Sequence, residues 1–300
     1  MKVVVAGGTG LIGSRLVGVL RAAGHDTVVL SRGAASTGEG ARIVHWDAKT
    51  ASSALAEKLR GADAVVNLAG ADIGARRWTE GRKQTILASR VDSTSALVGA
   101  IGQLPEDVRP GVLVNSSGIG YAGESGQEVV GEDIEPGSTF LASVCVDWEA
   151  AAGEVSKHGV RATMIRTPVV LARDARALRL MALPFRFFMG GRLGSGDQWF
   201  PWIHIDDLVA VVVQVIADDS LAGPVNAVAP DLRTQRQVAR EIARVLHRPS
   251  AFPTPAWLLR TALGEQADLM LHGQRAVSNR LEDFAFNYPQ LPEALEEALA

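Results

Sequence analysis

Three hundred residues, 47% of them hydrophobic and 21% charged, describe an ordinary globular chain with enough core for one large domain or two unequal ones. A net charge of -3 leaves no basic footprint for nucleic acid, and no segment is apolar for long enough to span a bilayer. The single cysteine, Cys145, excludes an intramolecular disulfide and fits a reducing compartment, so a cytoplasmic location is expected.

The chain opens on an apolar strand, Val3–Ala6, which reads as core rather than as a signal peptide because a glycine loop follows at once. That loop is Gly7-Gly8-Thr9-Gly10-Leu11-Ile12-Gly13, and it leads into a helix over Gly13–Ala23. Strand, glycine turn and helix in this order form a dinucleotide-binding unit. Gly7 serves the tight turn, Gly10 lets a pyrophosphate approach the backbone, and Gly13 lets the helix lie close on the strand. The helix N-terminus then offers free N–H groups to the anion. A second strand over Thr27–Leu30 ends at Ser31-Arg32, where NAD-binding folds usually carry an acid for the ribose 2′-hydroxyl. The nearest acid downstream is Glu39. A guanidinium and a hydroxyl suit a 2′-phosphate, so the expected cofactor is NADP(H). Arg15 in the first helical turn is a second candidate for that phosphate. The bland alternative makes Arg32 a solvated loop charge. Gly33–Gly40 reads as a polar loop around the adenosine end of the cofactor.

Further strands are expected over Arg42–His45, Ala64–Leu68, Val112–Asn115, Ala162–Val170 and Val225–Val228, with helices over Arg82–Leu104 and Phe140–His158. Most of the strand runs are continuously apolar, as in strands buried on both faces. The alternation predicts an α/β fold of Rossmann type, a doubly wound parallel sheet with right-handed crossovers. After Val170 the rhythm changes to an arginine-containing helix, a loop broken by Gly190, Gly191, Gly194 and Gly196, and an aromatic strand. A helix resumes over Asp206–Ala217, with Asp206 or Asp207 as N-cap. Helical segments separated by the proline-rich piece Pro249–Pro255 close the chain. Residues 1–173 and 204–230 read as the dinucleotide-binding domain, and 174–203 with 231–300 as a smaller, discontinuous substrate lobe. Substrate would sit in the cleft between them, outside the carboxyl ends of the strands.

Gly7-x-x-Gly10-x-x-Gly13, Asn67-Leu68-Ala69-Gly70, Ser116-Ser117-Gly118 and Trp202-Ile-His-Ile-Asp206-Asp207 together resemble the extended short-chain dehydrogenase/reductase superfamily. Within it, Arg76-Arg77-Trp78, Cys145-Val-Asp-Trp148-Glu149 and Asn279–Phe286 are similar to the "epimerase family" branch. That branch is also described as nucleoside-diphosphate-sugar epimerase-like or cell-division-inhibitor-like, and carries a small C-terminal domain. The resemblance implies that Thr9, Leu11 and Ile12 join the three glycines at the cofactor. It also implies that Asn67, Leu68, Ala69 and Gly70 lie against its ribose and pyrophosphate, with Ser116, Arg166 and Pro168 beside the nicotinamide end. An NADP(H)-dependent oxidoreductase or epimerase acting on a small polar, nucleotide-sugar-like substrate is the implied function. The other reading is an NADP(H)-binding regulator with little or no catalysis.

One departure from the superfamily matters. Its usual Tyr-x-x-x-Lys has no counterpart on the helix over Phe140–His158, where Cys145 and Glu149 stand at the matching spacing. A carboxylate in place of an ammonium reverses the local field, so the tyrosinate mechanism does not carry over. Candidate replacements are Tyr121, Ser117, Glu149 as a neutral acid beside Trp148, and Cys145. Against each stands a structural role, and a lone cysteine is more often a small apolar filler. Arg76 and Arg77 either clamp a substrate anion or form a solvated loop. Trp78, Trp199 and Trp202 are candidates for an aromatic wall against the substrate. His204 reads as a satisfied structural residue. The six histidines are too scattered for a metal site. The expected partner is a small molecule, with neither nucleic acid nor membrane, and the chain a monomer or homodimer.

Overall fold

The computed structural model describes residues 1–33 and 41–300. The 34–40 part of the predicted adenosine-side loop, including Glu39, lies outside them. Strands are β1 (Lys2–Ala6), β2 (Asp26–Ser31), β3 (Arg42–His45), β4 (Ala64–Asn67), β5 (Val112–Gly118), β6 (Val129–Val130), β7 (Arg161–Thr167), β8 (Val169–Leu171), β9 (Trp202–His204), β10 (Gly223–Asn226) and β11 (Arg275–Ala276). Helices are α1 (Leu11–Ala22), α2 (Ser53–Leu59), α3 (Glu80–Gly102), α4 (Phe140–Gly153), α5 (Arg176–Arg186), α6 (Ile205–Ala217), α7 (Gln235–Val245), α8 (Ala256–Leu263), α9 (Asp268–Leu271) and α10 (Leu291–Leu299).

Seven parallel strands make the central sheet in the order β10-β7-β5-β4-β1-β2-β3. The order reverses between β1 and β4, which opens a crevice at their carboxyl ends. Alternate side chains of each strand go to opposite faces. Val3, Val5, Val66 and Val114 pack with residues of α1 and α6, while Val4, Val65 and Leu113 pack with residues of α2 and α3. Both faces are therefore dry, which is why the strands read as unbroken apolar runs. A third cluster joins Leu178, Phe185, Trp202, Val238, Ile242, Leu291 and Leu295 from α5, β9, α7 and α10.

Local chemistry accounts for the departures from the sequence-based expectation. β5 continues past Asn115 to Gly118 because β7 pairs with it as far as Thr167. The single strand expected over Ala162–Val170 is broken at Pro168, which has no N–H for the ladder. Beyond that break β8 leaves the sheet and pairs with β9. The helix expected to reach His158 ends at Gly153 and tightens into a 3-10 turn that stops at left-handed Gly159. The N-cap of α6 is neither Asp206 nor Asp207. His204 takes that place, its Nδ1 accepting from the Asp206 N–H at 3.3 Å. Asp206 instead pairs with Arg15 Nε at 2.9 Å, and Asp207 accepts the main-chain N–H groups of Asn287 and Tyr288. The first contact joins α1 to α6, and the Asp207 contacts fasten the C-terminal segment to α6.

Candidate functional site

The turn after β1 is shaped by close approach. Gly7 adopts φ +78°, and a Cβ there would lie 2.8 Å from the Leu68 carbonyl. At Gly13 a Cβ would fall 2.3 Å from the Gly7 oxygen. Gly8, which the sequence reading did not single out, sits against Val29, whose methyls would be 2.9 Å from any Cβ. Gly10 differs from all three. Its nearest protein atom would be 3.4 Å away, and the residue is exposed. Nothing in the packing of the described residues demands a glycine there, whereas a diphosphate lying on the backbone would. Gly10 is also the N-cap of α1, with no side chain capping it and no acid in the first turn. Uncapped N–H groups and an open glycine thus face the same space, and these residues fit a dinucleotide diphosphate. Thr9 and Leu11 are exposed there, and Ile12 is half-buried.

Ser31 closes β2 and Arg32 follows it. Ser31 is buried, its Oγ accepting from the Gly33 N–H at 3.3 Å. Arg32 is exposed, and no ion pair engages it among the described residues. Arg15, by contrast, is committed to Asp206. At the end of β4, Asn67 is fully buried and donates to Asn115 Oδ1 at 2.7 Å and Thr94 Oγ1 at 2.9 Å. Its own oxygen accepts from the Ala69 N–H. Trp148 donates to the same Thr94 hydroxyl. This satisfied polar knot fixes Leu68, Ala69 and Gly70 across the crevice from Gly7.

The carboxyl end of β5 holds a second constellation. Arg166 on β7 is buried and donates from Nε and Nη2 to both oxygens of Glu149 on α4, at 2.9 and 3.0 Å. Ser117 Oγ donates to the same Glu149 Oε1 at 2.6 Å. Arg166 Nη1 reaches the Glu132 carbonyl at 2.8 Å, and its guanidinium lies 3.6 Å from the centre of the Tyr121 ring. Glu132 is itself buried, and its carboxylate accepts from Asn226 N, Ser278 Oγ and Asn279 N. Ser117, Tyr121, Glu149 and Arg166 are thus brought together. Both oxygens of Glu149 are filled by donors, an arrangement for a charged carboxylate rather than for the neutral acid considered from sequence. Ser117 spends its proton on that carboxylate. Ser116, on the opposite face of β5, is half-buried.

Cys145 lies one turn before Glu149 and contacts the Gly118 carbonyl at 3.6 Å. Burial first, then the Glu149 charge, pushes its thiol pKa up. Sequence reasoning missed the Arg166–Glu149 pairing, Glu132 and Arg90. Arg90 on α3 packs its guanidinium on Gly70 and, 5.0 Å away, on Trp148, while Nη1 donates to the carbonyls of Ala71 and Ile86. In a mostly polar helix nothing distinguishes it from a solvated arginine.

The remaining candidates separate. Trp78 is half-buried, its ring N–H bonded to the Ile73 carbonyl and its edge against Phe140. Arg76 and Arg77 are exposed beside it, and Arg77 lies against Gly264 at the end of α8. Trp199 donates to Gln127 and carries Arg275 on its ring. Trp202 does not join an aromatic wall. It is buried in the third cluster with its N–H on the Asp231 carbonyl, because residue 202 falls on the core-facing side of the short strand β9. His204 is also fully buried, bonded to Glu297 at 2.9 Å and stacked on Tyr288.

Residues 3–227 match the NAD dependent epimerase/dehydratase family, and residues 254–298 match a domain of unknown function. The chain belongs to the NAD-dependent epimerase/dehydratase family. It is 38% identical over 299 residues to the Arabidopsis thaliana chloroplastic SDR39U1 homolog, covering 98% of this chain and 86% of that one. To the Bacillus subtilis epimerase family protein YfhF it is 35% identical, covering 100% and 98%. The crystal structure of human epimerase family protein SDR39U1 with NADPH superposes with a TM-score of 0.88 at 34% identity, over 99% of each chain. A nucleoside-diphosphate sugar epimerase from Corynebacterium glutamicum gives 0.80 at 31% identity, over 100% of this chain and 58% of that one. These comparisons establish the Rossmann-type, extended short-chain dehydrogenase/reductase fold and an NAD(P)-dependent family. No helix among the described residues is long and apolar enough to cross a membrane.

Proposed function

We propose that this protein is an NADP(H)-dependent oxidoreductase of epimerase type. Its substrate is small and polar, of nucleotide-sugar kind, and sits between the sheet and a substrate lobe formed by residues 174–203 and 231–300. The chain works as a monomer or homodimer in the reducing setting that one unpaired cysteine suits. The open glycine at the uncapped N-terminus of α1 binds the diphosphate, while Arg32 and Ser31 take the 2′-phosphate. Support for that choice comes from the missing acid after β2 and from the NADPH held by the human relative. A bound nicotinamide supplies or accepts the hydride.

The observation that carries the catalytic reading is Tyr121 stacked on the Arg166 guanidinium beside Ser117. The guanidinium, held by Glu149, fixes the ring beside Ser117, whose own proton is committed to that carboxylate. Tyr121 is therefore the group that holds or moves the proton. Arg166 and Glu149 position it, and Ser117 fixes Glu149. Arg76 and Arg77 at the cleft mouth are placed to meet an anionic part of the substrate.

A second reading, an NADP(H)-binding regulator, is favoured by α4 itself. The two positions where the superfamily keeps its tyrosine and lysine hold a thiol with a raised pKa and a carboxylate already filled by donors. Following NADPH consumption against aldehydes, ketones and 4-keto nucleotide sugars separates the two readings. Turnover that falls at least tenfold in Tyr121→Phe with unchanged NADPH affinity supports the enzyme. NADPH binding with neither consumption across the panel nor NADP-dependent interconversion of epimeric nucleotide sugars, which recycles the cofactor, supports the regulator.

A further inference from the structure

The outer end of the second lobe carries a surface of unusual composition. Leu183, Phe187, Phe188, Met189, Phe252 and Trp257 are each between 47% and 68% exposed. Phe187, Phe188 and Met189 are consecutive, and Phe252 and Trp257 are carried on a segment that runs beside them. Leu183 and Phe187 stand on the side of α5 opposite its buried Leu178, Ala182 and Phe185. Phe252 N–H donates to the Gly190 carbonyl at 3.1 Å and Thr254 N–H to that of Arg192 at 2.9 Å, which lays the second segment along the first. α8 follows directly and buries none of its residues, although its sequence is AWLLRTAL. Phe188 sits at φ 61°, a costly conformation for a bulky side chain, with Arg248 over its ring at 4.5 Å.

Charge sets this surface apart from the rest of the chain. Residues 175–196 and 242–264 contain seven arginines and not one Asp or Glu, in a protein whose net charge is -3. Arg176 pairs with Asp72, Arg244 with Glu241 and Glu296, and Arg260 approaches Asp268, all acids from outside these segments. Arg179, Arg186 and Arg248 stand among the apolar side chains. Aromatic and aliphatic groups interspersed with these three arginines match an anionic bilayer surface. A second copy of the chain is a poor occupant. A two-fold contact would set these arginines against their own counterparts with no carboxylate between.

We propose that this face docks the protein reversibly on membranes rich in anionic phospholipid, with the phenyl and indole rings at headgroup depth and the arginines on the phosphates. Lying on a bilayer makes no demand for a spanning helix. The test is co-sedimentation of the full chain, loaded with NADPH, with vesicles of phosphatidylcholine alone or mixed with phosphatidylglycerol. Pelleting with the mixed vesicles only, weakened by added salt, is expected. Arg179→Gln with Arg186→Gln should weaken it roughly tenfold or more. Phe187→Ser with Trp257→Ser should do the same, and NADPH affinity should hold in both. Equal recovery in the supernatant with both vesicle types overturns the proposal. So does equal binding to neutral vesicles. A solution dimer that the Phe187→Ser, Trp257→Ser pair disperses, or binding of a polyglutamate peptide but not of vesicles, overturns it in favour of a protein partner.

Discussion

The two halves of the crevice are built on opposite principles. At the β1–α1 turn the work is done by missing atoms: Gly7, Gly8 and Gly13 are required by the protein's own packing, whereas the packing of the described residues makes no such demand at Gly10. At the β5–α4–β7 end it is done by charged side chains that satisfy one another, from Ser117 through Glu149 and Arg166 to Glu132. A site made of backbone needs a few consecutive residues. A site made of buried charge needs partners from several elements, and each member depends on the others.

Breaking one member of the buried pair should therefore produce the largest effect in the molecule. Arg166→Met leaves the Glu149 carboxylate buried without its cation, and about 3–5 kcal/mol of stability should be lost in urea unfolding. Replacing both, Arg166→Met with Glu149→Leu, should recover most of that loss, because the desolvation penalty disappears with the charges. A double variant no more stable than the single one would place the stabilisation elsewhere, in Ser117 or Glu132.

The glycine turn makes a sharper internal comparison. Gly13→Ala drives a methyl into the Gly7 carbonyl and should cost about 1–3 kcal/mol of stability. Gly10→Ala meets no protein atom closer than 3.4 Å, so unfolding should barely move while NADPH affinity drops. Calorimetry on both variants decides the matter. If Gly10→Ala binds NADPH as the parent does, the diphosphate does not cross that position.

How far each half could be read in advance follows from the same contrast. The βαβ unit was legible because its demands are local: strand, three spaced glycines, helix, strand, and no acid after β2. The sheet was legible because strands buried on both faces leave unbroken apolar runs. Arg166 was visible only through the resemblance, as a residue beside the nicotinamide end of the cofactor. Nothing in its neighbours reveals that Glu149, 17 residues earlier, fills its fork, or that Glu132 closes the network by holding Ser278 and Asn279, 146 and 147 residues away. Trp202 misled for a related reason. An aromatic on a short strand can face either layer, and the third hydrophobic cluster that claims it is assembled from four distant segments.

Cofactor selectivity should show a smaller, directional effect. Arg32→Ala should weaken NADPH binding by about 1–3 kcal/mol and leave NADH nearly unchanged, since only the former carries the extra phosphate. Equal losses for both nucleotides would move the 2′-phosphate away from this guanidinium.

The smallest effect is expected at Cys145. Burial and the neighbouring carboxylate raise its thiol pKa, so the thiolate is scarce at neutral pH and increases only as pH climbs beyond the ordinary thiol range. Alkylation by iodoacetamide should accordingly be slow near neutrality in the folded protein and speed up with rising pH or on unfolding. Cys145→Ser should shift stability by no more than about 1 kcal/mol, since the hydroxyl can keep the contact with the Gly118 carbonyl that the thiol makes. Rapid alkylation at neutral pH would instead identify a thiolate. It would return to α4 the reactive role that the charge distribution around Glu149 argues against.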